Sequence, residues 1–291
     1  MKVALHGKSI SKETCPYIKQ VIEELQQRNA ELYTSQSFLK EIRKYNIKPD
    51  KVETFSRQDS LAGMDFAFSL GGDGTLLDTI TYVGEAEVPL VGINTGRLGF
   101  LATTPKEKIK TVIDALYQSY YSYDYRSLIR LDTDRDLFEG KNFGLNEFSI
   151  LKKDTSSMIV VHAFIDGEFL NSYWADGLII STPTGSTGYS LSCGGPLVLP
   201  HSNNFIVTPV SPHNLYVRPM VVSDNSVLSF EIEGRSKNFL VALDSRSRSV
   251  DASIQLAVRK ENFRAKLVKL SGYNFFDTLR QKLNWGLDNR N

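Results

Sequence analysis

Up to about residue 122 the chain alternates short apolar runs with stretches of helical spacing. This alternation limits the fold more than any other feature. "KVALH" (2–6), "DFAFSL" (65–70) and "VPLVGIN" (88–94) have strand length and lack a polar face. They suit a sheet covered on both sides. After Pro16, the residues Ile18, Val21, Ile22 and Leu25 recur at i, i+3, i+4 and i+7, one face of a helix. Thr104 is the expected N-cap and Pro105 the first turn of another helix, with Ile109, Val112, Ile113 and Leu116 as its inner face. Strands and helices in this order predict an open, mostly parallel α/β sheet.

Beyond residue 122 the pattern becomes β-like. "SLIRLDT" (127–133), "MIVVHAFID" (158–166), "SVLSFEIEG" (226–234), "NFLVALDS" (238–245), "SIQLAV" (253–258) and "AKLVKL" (265–270) are strand-like segments between turn residues. Several alternate apolar with polar, as half-buried strands do. Helical spacing returns through Phe276, Leu279 and Leu283. The expected organisation is an α/β domain over 1–122, a mostly-β domain over 123–273, and a helix at about 274–287 packing back on the first domain. A length of 291 residues accommodates two such domains.

Charge excludes some partners. With 34 basic and 33 acidic residues the net charge is +1, so no positive field points to nucleic acid or a membrane surface. No run approaches the ~18 apolar residues of a membrane span. The chain opens on a strand-like segment whose apolar run is too short for a signal peptide, so the expected location is the cytoplasm. Cys15 and Cys193 form neither a disulfide framework nor a metal spacing and read as free thiols.

Several motifs fail on inspection. "HGKS" (6–9) imitates the end of a Walker A loop, but the first glycine of that pattern falls on Lys2. Gly72 and Gly74 begin a dinucleotide fingerprint whose third glycine is replaced by Leu77. His6, His162, His201 and His213 have no ligand spacing, so no protein-only metal site is expected. Ser186 in "PTGSTGY" lacks the spacer of a nucleophile elbow.

Two segments carry chemistry. Gly71-Gly72-Asp73-Gly74-Thr75 lies between a buried strand and a predicted helix. Glycines there admit a phosphate to the backbone N–H groups, and the helix start adds partial positive charge. A carboxylate in such a loop would repel phosphate unless it binds Mg²⁺ or takes a proton from an attacking hydroxyl. The alternative is a Gly-Asp-Gly turn with Asp73 solvated. In residues 175–197 a strand, Gly177 to Ser181, runs into a turn crowded by the hydroxyls of Thr182, Thr184, Ser186, Thr187, Ser190 and Ser192. This suits a ligand rich in acceptors, such as a nucleotide, or a polar loop that caps a helix.

Taken in order, "GGDGT" (71–75), "GINTGRLGFLA" (92–102), "NE" (146–147), "DGLIISTPTGSTGYSLSCGGP" (176–196) and "SPHNLYVRPMVV" (211–222) resemble the NAD kinases. "GGDGT" alone is shared with lipid kinases of the same superfamily; the hydroxyl-rich segment together with Asn-Glu is far more specific. The resemblance implies that Asp73 is the base that deprotonates the 2′-hydroxyl of the adenosine ribose. It implies that Gly71, Gly72, Gly74 and Thr75 line the donor phosphates, Gly74 and Asp73 also touching NAD. Asn146, Glu147, Asp176, Thr187, Gly188, Tyr189 and Ser192 match the dinucleotide pocket, with Phe100 as a wall. ATP, or polyphosphate in its place, is the implied donor. Mg²⁺ or another divalent cation is expected on its phosphates, and a homodimer or homotetramer as the assembly. Gly188 stands where the family commonly has alanine, and "LDSR" (243–246) where many members have Asp-Gly-Gln, so Asp244 is matched and its neighbours are not. A lipid kinase and a non-catalytic NAD(H) sensor are the alternatives to an NAD kinase.

Overall fold

The computed structural model describes residues 1–96, 99–153, 158–235, 238–272 and 274–285. Arg97 and Leu98 of the 92–102 motif, and residues 286–287 of the expected last helix, lie outside these. Contacts divide the chain into two units, Met1–Tyr125 with Ala265–Asn291, and Arg126–Arg264. Residues 265–272, read from sequence with the β-rich domain, therefore group with the first unit.

The first unit builds β1 (Lys2–His6), α1 (Cys15–Gln27), β2 (Glu31–Ser35), α2 (Gln36–Lys44), β3 (Val52–Phe55), β4 (Phe66–Leu70), α3 (Asp73–Val83), β5 (Leu90–Asn94), the two-residue β6 (Thr104–Pro105) and α4 (Ile109–Tyr117). The strands lie parallel in the order β3-β2-β1-β4-β5, with β6 beside β5. All five residues of β4 and of β5 are buried, as a sheet covered on both faces requires. The predicted inner faces of α1 and α4 are buried as well, and both join the core of Val3, Leu5, Phe68 and Ile93. One expectation fails. Thr104 does not cap α4; it extends with Pro105 alongside Ile93 and Asn94, and a 3₁₀ turn over Lys106–Lys108 precedes the helix. Strand order reverses between β1 and β4, and in such sheets ligands settle at this switch point, beyond the carboxyl ends of the strands.

The remaining elements are β7 (Ser122–Thr133), β8 (Phe143–Gly144), β9 (Glu147–Lys152), β10 (Ile159–Ile165), β11 (Glu168–Ala175), β12 (Gly177–Ser181), α5 (Tyr189–Ser192), β13 (Asn204–Val210), β14 (Met220–Ser223), β15 (Leu228–Gly234), β16 (Phe239–Leu243), β17 (Arg246–Val250), β18 (Leu256–Lys269) and α6 (Phe275–Leu283). In the second unit β14-β13-β12-β9-β16-β17 form one antiparallel sheet, and β11-β10-β15 another that continues onto Leu256–Val258 of β18. Their inner residues, among them Phe148, Ile180, Val207, Val161, Phe230 and Val258, share one core. "SIQLAV" and "AKLVKL" do not form two strands. The mostly charged residues 259–264 between them contain no glycine or proline to turn the chain, which stays extended as the 14-residue β18. Its far end returns to the first unit, where Leu267 pairs with Leu90 of β5.

Candidate functional site

In the first unit the glycine loop links β4 to α3. Gly72 is the N-cap of the helix and contributes no side chain to it. A Cβ on Gly71 would overlap the Thr75 hydroxyl, so this position needs glycine for close approach. A Cβ on Gly72 or Gly74 would meet nothing, which leaves the loop backbone open on that side. Asp73 is not merely solvated. Its Oδ2 accepts the N–H of Phe100 at 2.7 Å, and its Oδ1 those of Leu101 at 3.1 Å and Ala102 at 2.9 Å. Three of roughly four lone-pair positions are thus filled, and the carboxylate is locked in orientation. Gly99 makes this possible, since a Cβ there would overlap the carboxylate. Phe100 reaches Asp73 through its backbone, while its ring lies 6.5 Å from that of Phe275 on α6.

In the second unit Asn146 and Glu147 stand at the start of β9. Asn146 Oδ1 and Glu147 Oε2 are both buried without a hydrogen-bond partner in the protein. An unmet buried polar atom costs about 1–3 kcal/mol, so an adjacent pair of them is suited to a ligand that completes the bonding. Gly188 closes on the pair: a Cβ at that position would lie 3.2 Å from Glu147 Oε2 and 3.6 Å from Asn146 Nδ2. An alanine methyl would therefore fit only tightly. Burial, and after it the charge of Asp244, pushes the Glu147 carboxyl up to about 8. The shift favours the neutral acid, a form that can donate a hydrogen bond. Tyr189 belongs to the same cluster: burial raises its phenol, and Cys193, Asp176 and Glu147 raise it further.

The Asn-Glu segment is held from below by Asp244. Its carboxylate accepts the N–H groups of Leu145 at 2.8 Å, Asn146 at 2.7 Å and Glu147 at 3.1 Å. Asp244 has a left-handed φ of +52°, which aspartate tolerates, in the tight connection between β16 and β17. Arg246 is engaged by its own unit. It donates to the carbonyls of Lys141 and Phe143 and lies over the Phe138 ring.

In the hydroxyl-rich segment most hydroxyls find partners within the protein. Thr182 donates to Leu145 O, Ser186 to Pro183 O, and Thr187 to Thr184 O, while Ser190 pairs with Thr208 and Thr184 accepts from Arg126. These bonds brace the segment, which runs as a 3₁₀ turn and a single helical turn through largely buried surroundings. Ser192, at the end of α5, is exposed. Asp176 forms an ion pair with Lys152 at 2.6 Å. Gly185, which motif reading passed over, is critical, since any Cβ would overlap the Asn146 carbonyl. Among the described residues no group of three or more His, Cys, Asp or Glu side chains gathers around a metal position.

Because Glu147 holds its proton far above the ordinary carboxylate range, it makes stability pH-dependent. The unfolded chain loses this proton near pH 4.5 and the folded chain near 8. Its contribution is full below about pH 4.5 and is lost progressively as pH rises through about 8. Urea midpoints measured from pH 4.5 to 8.5 should fall more steeply in the wild type than in Glu147→Gln, which mimics the neutral acid. Parallel curves would show that Glu147 ionises normally.

A glycine loop at the switch point of a doubly wound sheet, followed by a β unit with an unmet polar pair, places the chain among two-part α/β proteins suited to phosphate-bearing ligands. The ATP-NAD kinase N-terminal domain model matches residues 3–121 and the ATP-NAD kinase C-terminal domain model residues 145–270. An NAD kinase of Cytophaga hutchinsonii is 53% identical, and one of Christiangramia forsetii 42%, each over 100% of both chains. Among solved structures, an Archaeoglobus fulgidus NAD kinase in complex with ATP aligns with a TM-score of 0.74 and 26% identity, over 98% of this chain and 99% of that one. A yeast NADH kinase complexed with NADH shares the fold with a TM-score of 0.89 at 22% identity, over 100% of this chain and 89% of that one. The chain belongs to the NAD kinase family.

Proposed function

We propose that this protein transfers the γ-phosphate of ATP to the 2′-hydroxyl of the adenosine ribose of NAD⁺, giving NADP⁺ and ADP. The observation that carries the reading is the Asp73 carboxylate, locked by three N–H groups beside the open glycines of the loop. Its remaining lone-pair position takes the ribose proton while the ribose oxygen bonds to phosphorus and the bond to ADP breaks. A positioned base contributes about 10²–10⁴-fold, and alignment with charge neutralisation supplies most of the rest. Gly71, Gly72, Gly74 and Thr75 receive the donor phosphates. Asn146 and Glu147 meet the dinucleotide with their unpartnered atoms. Gly188 and Tyr189 stand beside them, and Asp176, Thr187, Ser192 and Phe100 complete the proposed contacts.

A divalent cation such as Mg²⁺, when bound, neutralises charge on the donor phosphates. Asp73 has one acceptor position left, and Mg²⁺ ordinarily rides on substrate phosphates with one or two carboxylates, so the phosphates themselves suit the cation as its main ligands. The family match over the whole chain favours a dinucleotide acceptor over a lipid. No helix among the described residues is long and apolar enough to cross a membrane. A cytoplasmic homodimer or homotetramer completes the reading, and sedimentation of the purified protein tests the assembly.

The decisive experiment is NADP⁺ formation by purified protein from NAD⁺ and ATP with Mg²⁺, repeated with polyphosphate. Product formation supports the reading, and polyphosphate turnover would widen the donor range. Absence of product with either donor overturns it and leaves a lipid kinase or a silent sensor. Asn146→Ala is expected to raise the KM for NAD⁺ about tenfold. Unchanged kcat and KM would remove Asn146 from the dinucleotide contacts.

A further inference from the structure

Two cations near the glycine loop are unused by the proposed reaction. Lys8 follows β1 and Arg57 follows β3, and both reach Oδ1 of Asp78 on α3, at 3.7 Å and 2.5 Å. The Asp78 side chain is only 7% exposed, whereas those of Lys8 and Arg57 are 44% and 40% exposed. From the inside, His6 Nε2 lies 2.9 Å from Asp78 Oδ2, and His6 Nδ1 lies 2.7 Å from the hydroxyl of Ser35, the N-cap of α2. The Tyr82 ring supports both sides, 4.6 Å from the His6 ring and 5.1 Å from the Arg57 guanidinium. Burial opposes charge on Asp78, yet the His6 hydrogen bond and the charges of Arg57, His6 and Lys8 hold its carboxyl below the usual range. One buried anion thus organises two outward cations, leaving positive charge in excess.

The place matters as much as the charge. His6 pairs with Ser69 and a Cβ on Gly7 would lie 3.0 Å from the Leu70 carbonyl, so Lys8 follows at the carboxyl end of β1, the same edge of the sheet from which the glycine loop leaves β4. Asp78 lies five residues along α3 from Asp73, roughly 7.5 Å of helix rise. We infer that Lys8 and Arg57, held in position by Asp78, form a subsite for the phosphoanhydride tail of the phosphate donor. This rests on the phosphotransfer reading above. A triphosphate or longer chain carries more charge than the diphosphate of a dinucleotide, which favours the donor as occupant.

Calorimetric titration of the full chain with inorganic tripolyphosphate tests the subsite without turnover. Lys8→Ala and Arg57→Ala are each expected to weaken binding about tenfold, with unchanged circular dichroism. Arg57→Lys should retain part of the affinity, having charge without the planar fork. In the assay, the KM for ATP should rise in parallel while the KM for NAD⁺ stays constant, and tripolyphosphate should compete with ATP less well. Unchanged tripolyphosphate affinity in both alanine variants overturns the subsite, even if the wild type makes NADP⁺. A rise in the KM for NAD⁺ instead would assign the cations to the dinucleotide and overturn the donor assignment. Weakened tripolyphosphate binding in a protein that makes no NADP⁺ would keep the anion subsite and remove the reaction.

Discussion

Asp73→Asn is expected to lower kcat for NADP⁺ formation by about 10²-fold or more. Asparagine matches the shape of aspartate but cannot take the ribose proton. It also retains one acceptor oxygen where three backbone N–H groups converge. With that oxygen facing Leu101 and Ala102, the amide nitrogen meets the Phe100 N–H, donor against donor. The structural cost of one lost hydrogen bond is about 0.5–1.5 kcal/mol, well short of unfolding a domain. Steady-state kinetics separates the two effects. A collapse in kcat with NAD⁺ affinity largely kept identifies the base, whereas a raised KM at near-normal kcat would reduce Asp73 to a device for placing residues 100–102.

Asp244→Ala is expected to produce the largest loss of stability. Three N–H groups at the head of β9 lose their common acceptor. At about 1 kcal/mol or more each, the loss is about 3 kcal/mol, or roughly 6–12 °C in the melting temperature of this unit. The segment that loosens carries Asn146 and Glu147, so the KM for NAD⁺ should rise with it. Asp244→Asn, which keeps an acceptor oxygen, should recover part of both. Calorimetry that finds the alanine variant as stable as the wild type would show that water replaces the carboxylate freely.

The α/β alternation was legible because β1, β4 and β5 are apolar along nearly their whole length and α1 and α4 each show one apolar face, and both patterns are local. The glycine loop was legible for the same reason: five consecutive residues contain the turn, the helix start and the carboxylate. Thr104 was misread because a threonine before proline is an acceptable cap or an acceptable strand end, and only the neighbouring β5 selects the second. The hydroxyls of residues 182–190 stayed open between a ligand and a capping loop because their partners, among them Leu145, Arg126 and Thr208, are distant in sequence. "HGKS" fails the Walker pattern in sequence, yet its His6 and Lys8 meet Asp78, some seventy residues away.

By itself the sequence determined the two-part plan, the family and the loop where phosphate chemistry is expected. These depend on periodicity and on ordered motifs within short windows. Tertiary structure alone decided which polar groups find partners within the fold and which stay unpartnered. Asp244 is joined to Leu145 across 99 residues, Asp73 to Ala102 across 29, and His6 to Asp78 across 72. Whether a buried donor or acceptor finds its partner is settled by packing between elements, and no local pattern records it.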